Sequence, residues 1–355
     1  METFNSKEFL PASLVAQLTQ LRVNDPDRAL RIAKSRKRRA RLAIDGKLNI
    51  LAADHPARRV TSVGDDPLGM ADRHDYLARI VRVLMGSMVD GVMATIDIIE
   101  DLLVLHDLSR HSGGTALLDD KLMIGSLNRG GLAGASWEMD DPMTGLTPAT
   151  CAAWNLDGAK ILMRLCDDDP ASLKTILAGV SAINEANSLG LPTFLEPLPV
   201  VKTEKGYKVV KTAEALAKIV GVASALGNSS RYVWLKLPYC EDYETVTRAT
   251  TLPILLLGGE SAGDALPFLR EIAAAIEIGK IVGEGPGKKL LTTGPVRGAL
   301  VGRNVLYPGG EDPLVMAQAV GGIIHRGWKV EQALALAKGV VNSDQEMSRW
   351  RQAEL

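Results

Sequence analysis

Residues 48–56, Leu-Asn-Ile-Leu-Ala-Ala-Asp-His-Pro, distinguish between two possible α/β folds for this chain. The first six form a short, mostly apolar run, as is typical of a parallel strand covered on both faces. A doubly wound nucleotide-binding sheet would continue from this strand into a Gly-x-Gly-x-x-Gly turn, whereas here Asp54 and His55 follow. The segment therefore favours a barrel, in which chemistry gathers at the carboxyl ends of the strands.

Seven further apolar runs of similar length follow along the chain. Together with the first they cover residues 48–53, 91–96, 122–126, 159–165, 192–198, 232–237, 253–257 and 299–306. Helical patterns lie between them at residues 73–88, 98–109, 171–189, 212–226 and 263–278. Eight strands that alternate with helices predict a (β/α)8 TIM barrel. Because the gaps before the last two strands are uneven, a doubly wound open sheet remains the alternative.

The chain has 355 residues, a length that suits one large barrel. We expect an N-terminal helical extension at residues 1–44, the barrel at 45–345 and a tail at 346–355. A basic run at residues 28–41 is either a patch for nucleic acid or phosphate, or a solvated helix. No aromatic side chains interleave its charges, which favours the solvated helix. Residues 283–298 are rich in glycine and proline and are expected to form a long loop.

Composition and charge narrow the class of protein. Hydrophobic residues make up 46% of the chain and charged residues 23%, which excludes a wholly disordered protein. Lysine and arginine number 41 against 42 acidic residues, so no net field directs the chain to nucleic acid or a membrane. Three cysteines without Cys-x-x-Cys spacing predict neither a disulfide framework nor a thiolate metal site. We expect a cytoplasmic protein without signal peptide or membrane span.

Lys236 is the strongest candidate for a catalytic residue. It lies in the apolar segment Tyr-Val-Trp-Leu-Lys-Leu-Pro-Tyr at residues 232–239, where a charged ammonium is costly to bury. Burial lowers the pKa of a lysine, and the neutral amine is the nucleophile that a Schiff base requires. The alternative is a lysine that reaches the strand end and pairs with a carboxylate.

Two carboxylates also follow apolar strands. Glu196 lies in Phe-Leu-Glu-Pro-Leu, where burial should raise its pKa and suit it to pass protons to and from a carbinolamine hydroxyl. Its alternative role is a buried ion-pair partner for Lys236 or Arg164. Asp54 would orient the lysine or contact a substrate hydroxyl, or else it caps the turn that follows its strand.

Glycine-bearing turns follow the last two predicted strands. These turns are Gly258-Gly259 and Gly302-Arg303-Asn304. Phosphate often binds at this place in barrels, because glycine lets backbone N–H groups approach the anion. Arg303 would add a bidentate contact. Together the two turns predict a phosphate site.

Other polar side chains mark the third and fourth strand ends, where Asn128, Arg129 and Arg164 are candidates for substrate binding. The five histidines show neither His-x-His nor His-Glu-x-x-His spacing, so that no metal site is expected. No cofactor is expected either.

These strand ends resemble those of the class I, Schiff-base aldolases, a group that unites deoxyribose-phosphate, tagatose-bisphosphate and archaeal-type fructose-bisphosphate aldolases. The matching motifs are Leu-Ala-Ala-Asp-His (51–55), Phe-Leu-Glu-Pro (194–197), Trp-Leu-Lys-Leu-Pro (234–238), Leu-Leu-Gly-Gly (256–259) and Val-Gly-Arg-Asn-Val (301–305). They span roughly residues 45–325, which is most of the chain.

The resemblance implies a role for each matching residue. Lys236 would form the imine with a ketose or ketone donor, Glu196 would shuttle protons, and Asp54 would contact the lysine and substrate hydroxyls. The two glycine-bearing turns would bind phosphate. The fourth strand departs from the family pattern, since it carries Arg164 where several relatives have a tyrosine.

The chain also resembles an actinobacterial barrel family associated with inositol breakdown. That resemblance implies cleavage of 2-deoxy-5-keto-gluconate 6-phosphate to dihydroxyacetone phosphate and malonate semialdehyde, with Arg164 or Arg129 binding the substrate carboxylate. The alternatives are an aldolase or transaldolase for a sugar bisphosphate or sulfosugar phosphate, and a non-catalytic phosphosugar-binding barrel. The expected partners are a small phosphorylated sugar or sugar acid and further copies of the chain, with neither nucleic acid nor membrane.

Overall fold

Eight parallel strands close into a barrel in the computed structural model, which describes residues 4–204, 206–259, 265–278, 281–285, 288–292 and 294–343. Around the barrel the strands are β1 (Leu48–Ala53), β2 (Gly91–Ala94), β3 (Leu122–Ser126), β4 (Gly158–Leu165), β5 (Thr193–Thr203), β7 (Val233–Pro238), β8 (Ile254–Leu257) and β11 (Val296–Val301). The predicted (β/α)8 barrel is confirmed, and the open-sheet alternative is wrong because β1 also pairs with the last strand.

Closure of the barrel depends on a close approach between its first and last strands. Leu48 of β1 pairs with Gly298 of β11, and a Cβ on Gly298 would lie 1.9 Å from the carbonyl oxygen of Leu48. Gly298 also has a φ of +126°, a conformation that L side chains rarely adopt. Only glycine therefore fits where the two strands meet.

The barrel interior is filled by large apolar side chains. Ile50, Met93, Phe194, Leu255 and Leu300 point inward from different strands and form one buried cluster. Since side chains alternate along a strand, the residues two positions further on also point inward, nearer the carboxyl ends. The interior is thus a packed core whose upper surface forms the floor of a site.

Thirteen helices surround the barrel in the described part of the chain. They are α1 (Ser6–Phe9), α2 (Ala12–Asn24), α3 (Arg28–Ser35), α4 (Arg73–Leu84), α5 (Ile96–His111), α6 (Pro148–Ala153), α7 (Ala171–Ser188), α8 (Ala213–Ser224), α9 (Tyr243–Arg248), α10 (Ala265–Glu277), α11 (Arg303–Leu306), α12 (Pro313–Arg326) and α13 (Val330–Ser343). Polar caps fix several ends: Asp72 accepts from two backbone amides of α4, and Asp312 from one of α12. No helix within the described ranges has the length and apolar character that a membrane crossing needs.

Two expectations of local structure were wrong. The eighth strand was expected at residues 299–306, but β11 ends at Val301 and the helix α11 follows. The amides of Val305 and Leu306 donate to the carbonyl of Gly302, so the last apolar residues are buried by a helical turn. The expected loop at 283–298 contains an antiparallel hairpin of β9 (Ile281–Gly285) and β10 (Lys288–Thr292), and β6 (Gly206–Val209) forms a second hairpin with the end of β5.

The basic run at residues 28–41 is a solvated helix only in its first part, where Arg31 of α3 is exposed. Arg36 is only 5% exposed and its guanidinium lies 2.8 Å from Asp157, which directly precedes β4. Arg39 pairs with Asp90, which directly precedes β2, at 2.9 Å. These carboxylates stand at the amino ends of strands, so Arg36 and Arg39 hold the chain across the bottom of the barrel. The expected tail at 346–355 lies outside the described residues.

Candidate active site

Four strands bring two lysines and two carboxylates together above the barrel core. Asp54 follows β1 and Glu196 lies in β5, each two residues after an inward-facing side chain, Ala52 and Phe194. Lys236 lies two residues after Trp234, which packs against the same cluster. Because Phe194 pairs with Trp234 in register, Glu196 and Lys236 lie side by side.

The fourth member of the group is Lys160 of β4, so that the charged groups alternate in sign. Nζ of Lys236 lies 2.9 Å from Oε2 of Glu196, and Nζ of Lys160 lies 3.1 Å from the same oxygen. Lys160 also donates to Oδ2 of Asp54 at 2.9 Å. Asp54, Lys160, Glu196 and Lys236 are here called the charged tetrad.

The two lysines of the tetrad differ in their acidity. Burial lowers the pKa of Lys236, and the positive charge of Lys160 adds to this effect against the opposing carboxylates. Lys160 is also buried, but its contacts with Asp54 and Glu196 outweigh that burial and raise its pKa. The neutral amine is therefore more accessible at Lys236, while Lys160 holds its proton.

The prediction of a raised pKa for Glu196 was wrong. Burial alone would raise it, but the ammonium groups of Lys160 and Lys236 together lower the pKa below its ordinary value. Asp54 is likewise buried, and Lys160 and its other neighbours lower its pKa. Both carboxylates are thus ionised beside the two lysines.

Arg164 also points inward from β4, but Glu138 already pairs with its charge. Nη1 of Arg164 donates to Oε1 of Glu138, and Nη2 donates to the carbonyl of Tyr207 at 3.3 Å. Arg164 and Glu138 are both buried. Glu196, which was expected as a possible partner of Arg164, binds the two lysines instead, and Asp54 binds Lys160. Arg164 therefore pairs with Glu138.

The other two candidates for substrate binding serve local structure. Asn128 donates to the carbonyl of Leu162 at 2.7 Å and accepts from the amide of Leu162 at 2.8 Å. Its side chain thereby prolongs the pairing of β3 and β4 beyond the last residue of β3. Arg129 lies 3.2 Å from Oδ1 of Asp141 in the segment after β3.

The two glycine-bearing turns meet at the mouth of the barrel. A Cβ on Gly258 would lie 3.0 Å from Nδ2 of Asn304, and one on Gly302 would lie 2.2 Å from the ring of His55. Beyond Gly258, the Cβ position of Gly259 lies 3.7 Å from Nζ of Lys211. The predicted turn around Arg303 is in fact the start of α11.

His55 joins this region to the tetrad. Burial lowers its pKa to about 4, with Asp54 opposing and Arg303 adding to the shift. Its Nδ1 is buried and has no hydrogen-bond partner among the described residues. The imidazole is therefore neutral near pH 7 and leaves one polar atom at the mouth unsatisfied.

Sequence reasoning missed Lys160, Lys211 and Glu138 as parts of the mouth. A signal for Lys160 was present, because it stands four residues before Arg164 on the same face of an apolar strand, just as Lys236 interrupts another. Lys211 and Glu138 lie on connecting segments, where no period shows which way a side chain points. Within the described ranges, no three His, Cys, Asp or Glu side chains form a group that could hold a metal ion.

Known proteins share the family and the fold of this chain. Residues 46–321 match the Cgl0159-like family. The crystal structure of Cgl0159 from Corynebacterium glutamicum is 36% identical, covering 90% of this chain and 99% of that one, with a TM-score of 0.79. No curated protein sequence matches.

Two aldolase structures share the fold at low identity. An archaeal fructose-1,6-bisphosphate aldolase, with its catalytic lysine covalently bound to a carbinolamine intermediate, is 19% identical. The match covers 83% of this chain and 99% of that one, with a TM-score of 0.51. The fructose-bisphosphate aldolase of Slackia heliotrinireducens is 15% identical, covering 95% and 96%, with a TM-score of 0.57.

Proposed function

The chain belongs to the Cgl0159-like family, and we propose that it is a class I aldolase that cleaves a phosphorylated keto-sugar or keto-sugar acid through an imine on Lys236. One observation carries the proposal. A buried lysine with a lowered pKa lies 2.9 Å from a carboxylate at the carboxyl ends of the barrel strands. The covalently bound lysine of the archaeal aldolase, which shares this fold, supports the same chemistry.

The tetrad supplies a group for each proton transfer. The neutral amine of Lys236 attacks the donor carbonyl carbon, a C–N bond forms, and the ammonium of Lys160 gives a proton to the oxygen. Loss of water from this carbinolamine leaves a protonated imine. Glu196 or Asp54 then takes the proton of the substrate hydroxyl β to the imine carbon.

Cleavage follows from the electron demand of the imine. The carbon–carbon bond breaks, its electron pair moves toward the iminium nitrogen, and the aldehyde product leaves as an enamine forms. The carboxylate that took the hydroxyl proton gives it to the enamine carbon, and hydrolysis of the imine by water then releases the ketone, restores the amine of Lys236 and returns a proton to Lys160. Lys160 remains beside Asp54 and Glu196 throughout the reaction. Lys236 instead exchanges its contact with Glu196 for the covalent bond to the substrate.

The phosphate would bind at the two glycine-bearing turns. Gly258 and Gly302 let Asn304 and His55 approach the backbone closely, and Gly259 is open except for Lys211, so an anion would lie beside Gly259 near the start of α11. Lys211 adds a positive charge near Gly259. A phosphate there would hold the donor end of the substrate next to the tetrad.

The substrate we favour is 2-deoxy-5-keto-gluconate 6-phosphate, which would give dihydroxyacetone phosphate and malonate semialdehyde in inositol breakdown. The sequence motifs alone carry this choice. A sugar-bisphosphate or sulfosugar-phosphate aldolase or transaldolase is the second candidate, and the barrel of the Slackia heliotrinireducens enzyme favours it. A non-catalytic phosphosugar-binding barrel would not need the tetrad.

We extend the proposal to the location, assembly and partners of the protein. We place the protein in the cytoplasm as a homo-oligomer that acts on a small molecule without cofactor, metal, nucleic acid or membrane. The three buried cysteines form no disulfide, which suits a reducing compartment. We also propose that residues 45–345 form one catalytic barrel, preceded by an N-terminal extension.

A substrate panel tests the proposed reaction. Release of dihydroxyacetone phosphate is followed with 2-deoxy-5-keto-gluconate 6-phosphate and with fructose 1,6-bisphosphate, before and after exhaustive EDTA treatment. We expect cleavage of the keto acid by the wild-type protein, no dependence on EDTA, and no cleavage by Lys236→Met. Cleavage of neither substrate class, or full activity in Lys236→Met, would count against the proposal.

A further inference from the structure

Arg58 stands beside the charged tetrad and takes no part in it. It ends the short 3-10 turn His55–Arg58, which begins directly after Asp54. Its carbonyl accepts a hydrogen bond from the amide of Ala133 at 3.1 Å, so the turn is held against the segment that follows β3. Arg58 is thereby fixed at the rim of the mouth.

The guanidinium of Arg58 has no partner within the described part of the chain. Its Nε is buried without a hydrogen bond, and no carboxylate of those residues lies within ion-pair distance. The cations on β4, on β7 and just after β3 are each paired: Lys160 and Lys236 with Glu196 and Asp54, Arg164 with Glu138, and Arg129 with Asp141. These pairs leave the positive charge of Arg58 without a carboxylate on this side of the mouth.

The turn that ends at Arg58 begins directly after Asp54 of the tetrad, and its bond to Ala133 holds it against the segment that carries Glu138. Burial lowers the pKa of Arg58, and the positive charge of Arg164 lowers it further, while Glu196, Asp54 and Glu138 oppose the shift. These carboxylates are bonded to other cations. Arg58 is half-buried, and its buried Nε lacks a hydrogen bond, which is costly; an anion between Arg58 and the tetrad would relieve that cost.

We propose that Arg58 binds a second anionic group of the substrate, a carboxylate or a phosphate, on the part that leaves as the aldehyde. This inference rests on the proposed aldolase function. The first anionic group would lie at the turns after β8 and β11, whereas the turn of Arg58 is bonded to Ala133 in the segment after β3, which also carries Glu138, the partner of Arg164 on β4. β4 and β11 lie on opposite sides of the barrel. The substrate would therefore span the mouth with an oxyanion at each end.

The planar guanidinium suits either anion, because its fork of N–H groups matches the two oxygens of a carboxylate or a phosphate. Arg164 cannot serve as well, since Glu138 already neutralises it. The specificity of the enzyme for a sugar acid or a bisphosphate would then depend on Arg58.

A matched pair of variants tests this role. Arg58→Met and Arg59→Met each remove one positive charge from adjacent positions, but Arg59 is exposed. Both are made on an Arg303→Met background, so that the proposed phosphate turn does not contribute. Isothermal titration with malonate and with inorganic phosphate then measures binding at Arg58.

We expect Arg58→Met to weaken binding of at least one probe by about 10- to 100-fold, and Arg59→Met to change it less than about twofold. Loss for malonate alone would identify a carboxylate, and loss for phosphate alone a second phosphate. Equal binding by the two variants, or no binding of either probe to the Arg303→Met parent, would overturn the proposal.

A second measurement separates this inference from the function on which it rests. Borohydride trapping of dihydroxyacetone phosphate on Lys236 should survive in Arg58→Met, because this donor carries a single anionic group. If Arg58→Met still forms the adduct on Lys236 and binds both anions as its parent does, only the proposed role of Arg58 is rejected. Absence of any adduct, with anion binding lost in Arg58→Met, would reject the aldolase reaction and keep Arg58 as an anion site.

Discussion

At the scale of single residues, the charge of Lys160 helps to keep Lys236 reactive. The two ammonium groups share one oxygen of Glu196, and the positive charge on Lys160 favours the neutral form of Lys236. Lys160 keeps its own proton because it has two carboxylate partners. In the proposed reaction one lysine is the nucleophile, and the other is the neighbouring cation and acid.

Replacement of Lys160 tests this division of roles. Lys160→Gln removes the like charge, so the pKa of Lys236 should rise and less of its amine is neutral at pH 7. We expect kcat to fall about 100-fold and the pH optimum of imine trapping to move upward. The measurement is the rate of borohydride trapping on Lys236 against pH, with exposed Lys218→Gln as control. A profile identical to that of the control variant would reject the role of Lys160.

The residues of the site were only partly predictable from the sequence. Asp54, Glu196 and Lys236 stand out because each charge follows an apolar strand. Their protonation was harder to foresee, since the low pKa of Glu196 depends on Lys160, which arrives from another strand. Pairwise contacts across a barrel leave no periodic mark in the chain.

At the scale of elements, Arg164 joins β4 to the segment after β3. Removing one member of a buried ion pair leaves an unpaired charge, whereas removing both does not. Arg164→Met should therefore lower the free energy of unfolding by about 3–5 kcal/mol, with part of the loss recovered in Arg164→Met/Glu138→Met.

Urea denaturation of the two single variants, the double variant and the wild type measures this coupling. Additive losses would mean that the pair does not act as a unit. The same set of variants also tests specificity, because Arg164→Met should reduce kcat/KM alike for keto-acid and neutral phosphorylated donors. A selective loss for the acid would return Arg164 to the substrate site.

His325, in the last turn of α12, joins that helix to the amino ends of β1 and β2. Its Nδ1 lies 2.8 Å from Asp45, and its Nε2 lies 3.0 Å from Asp90. Burial opposes the charged imidazole, but the two carboxylates outweigh it and raise the pKa. The resulting stabilisation is complete below the unfolded-state pKa of about 6.5 and is lost as pH rises through the folded-state pKa.

His325→Gln should accordingly lower the melting temperature more at pH 5.5 than at pH 9. Thermal unfolding of wild type and variant at the two pH values gives the difference, with exposed His111→Gln as control. A destabilisation that is equal at both pH values would show that the charge of His325 contributes nothing.

Elements with a strong local pattern were predictable, and those set by packing were not. β1 and β3 begin and end at the predicted residues, because buried parallel strands are continuous apolar runs. Residues 299–306 were expected to form one strand, yet β11 ends at Val301, and α11 begins after Gly302. The composition of 283–298 masked its hairpin, since glycine-rich strands lack alternation.

At the scale of the whole molecule, the basic residues that follow α3 and the site occupy opposite ends of the barrel. Arg36 donates to Asp157 and to the carbonyls of Lys121 and Asn155, all near the amino ends of strands. The basic run was expected to be solvated because the carboxylates that pair with Arg36 and Arg39 lie about 50 to 120 residues away along the chain. Stability and catalysis should therefore be separable.

Arg36→Met should destabilise the protein by about 3–5 kcal/mol, because Asp157 loses its buried partner, while KM for the substrate stays unchanged. Denaturant unfolding and steady-state kinetics below the melting temperature measure the two effects. The matched control is Arg31→Met, whose side chain is exposed and pairs with Asp25 outside the barrel. A raised KM in Arg36→Met would show that the two ends are coupled.

The proposed reaction requires that Lys236, and not the neighbouring Lys160, forms a covalent imine with the substrate. Incubation with dihydroxyacetone phosphate and borohydride, followed by peptide mass spectrometry, reads both positions in one experiment. We expect a reduced adduct on Lys236, none on Lys160, and none anywhere in Lys236→Met. An adduct on Lys160, or an unlabelled Lys236 in a protein that still cleaves its substrate, would contradict the proposed reaction.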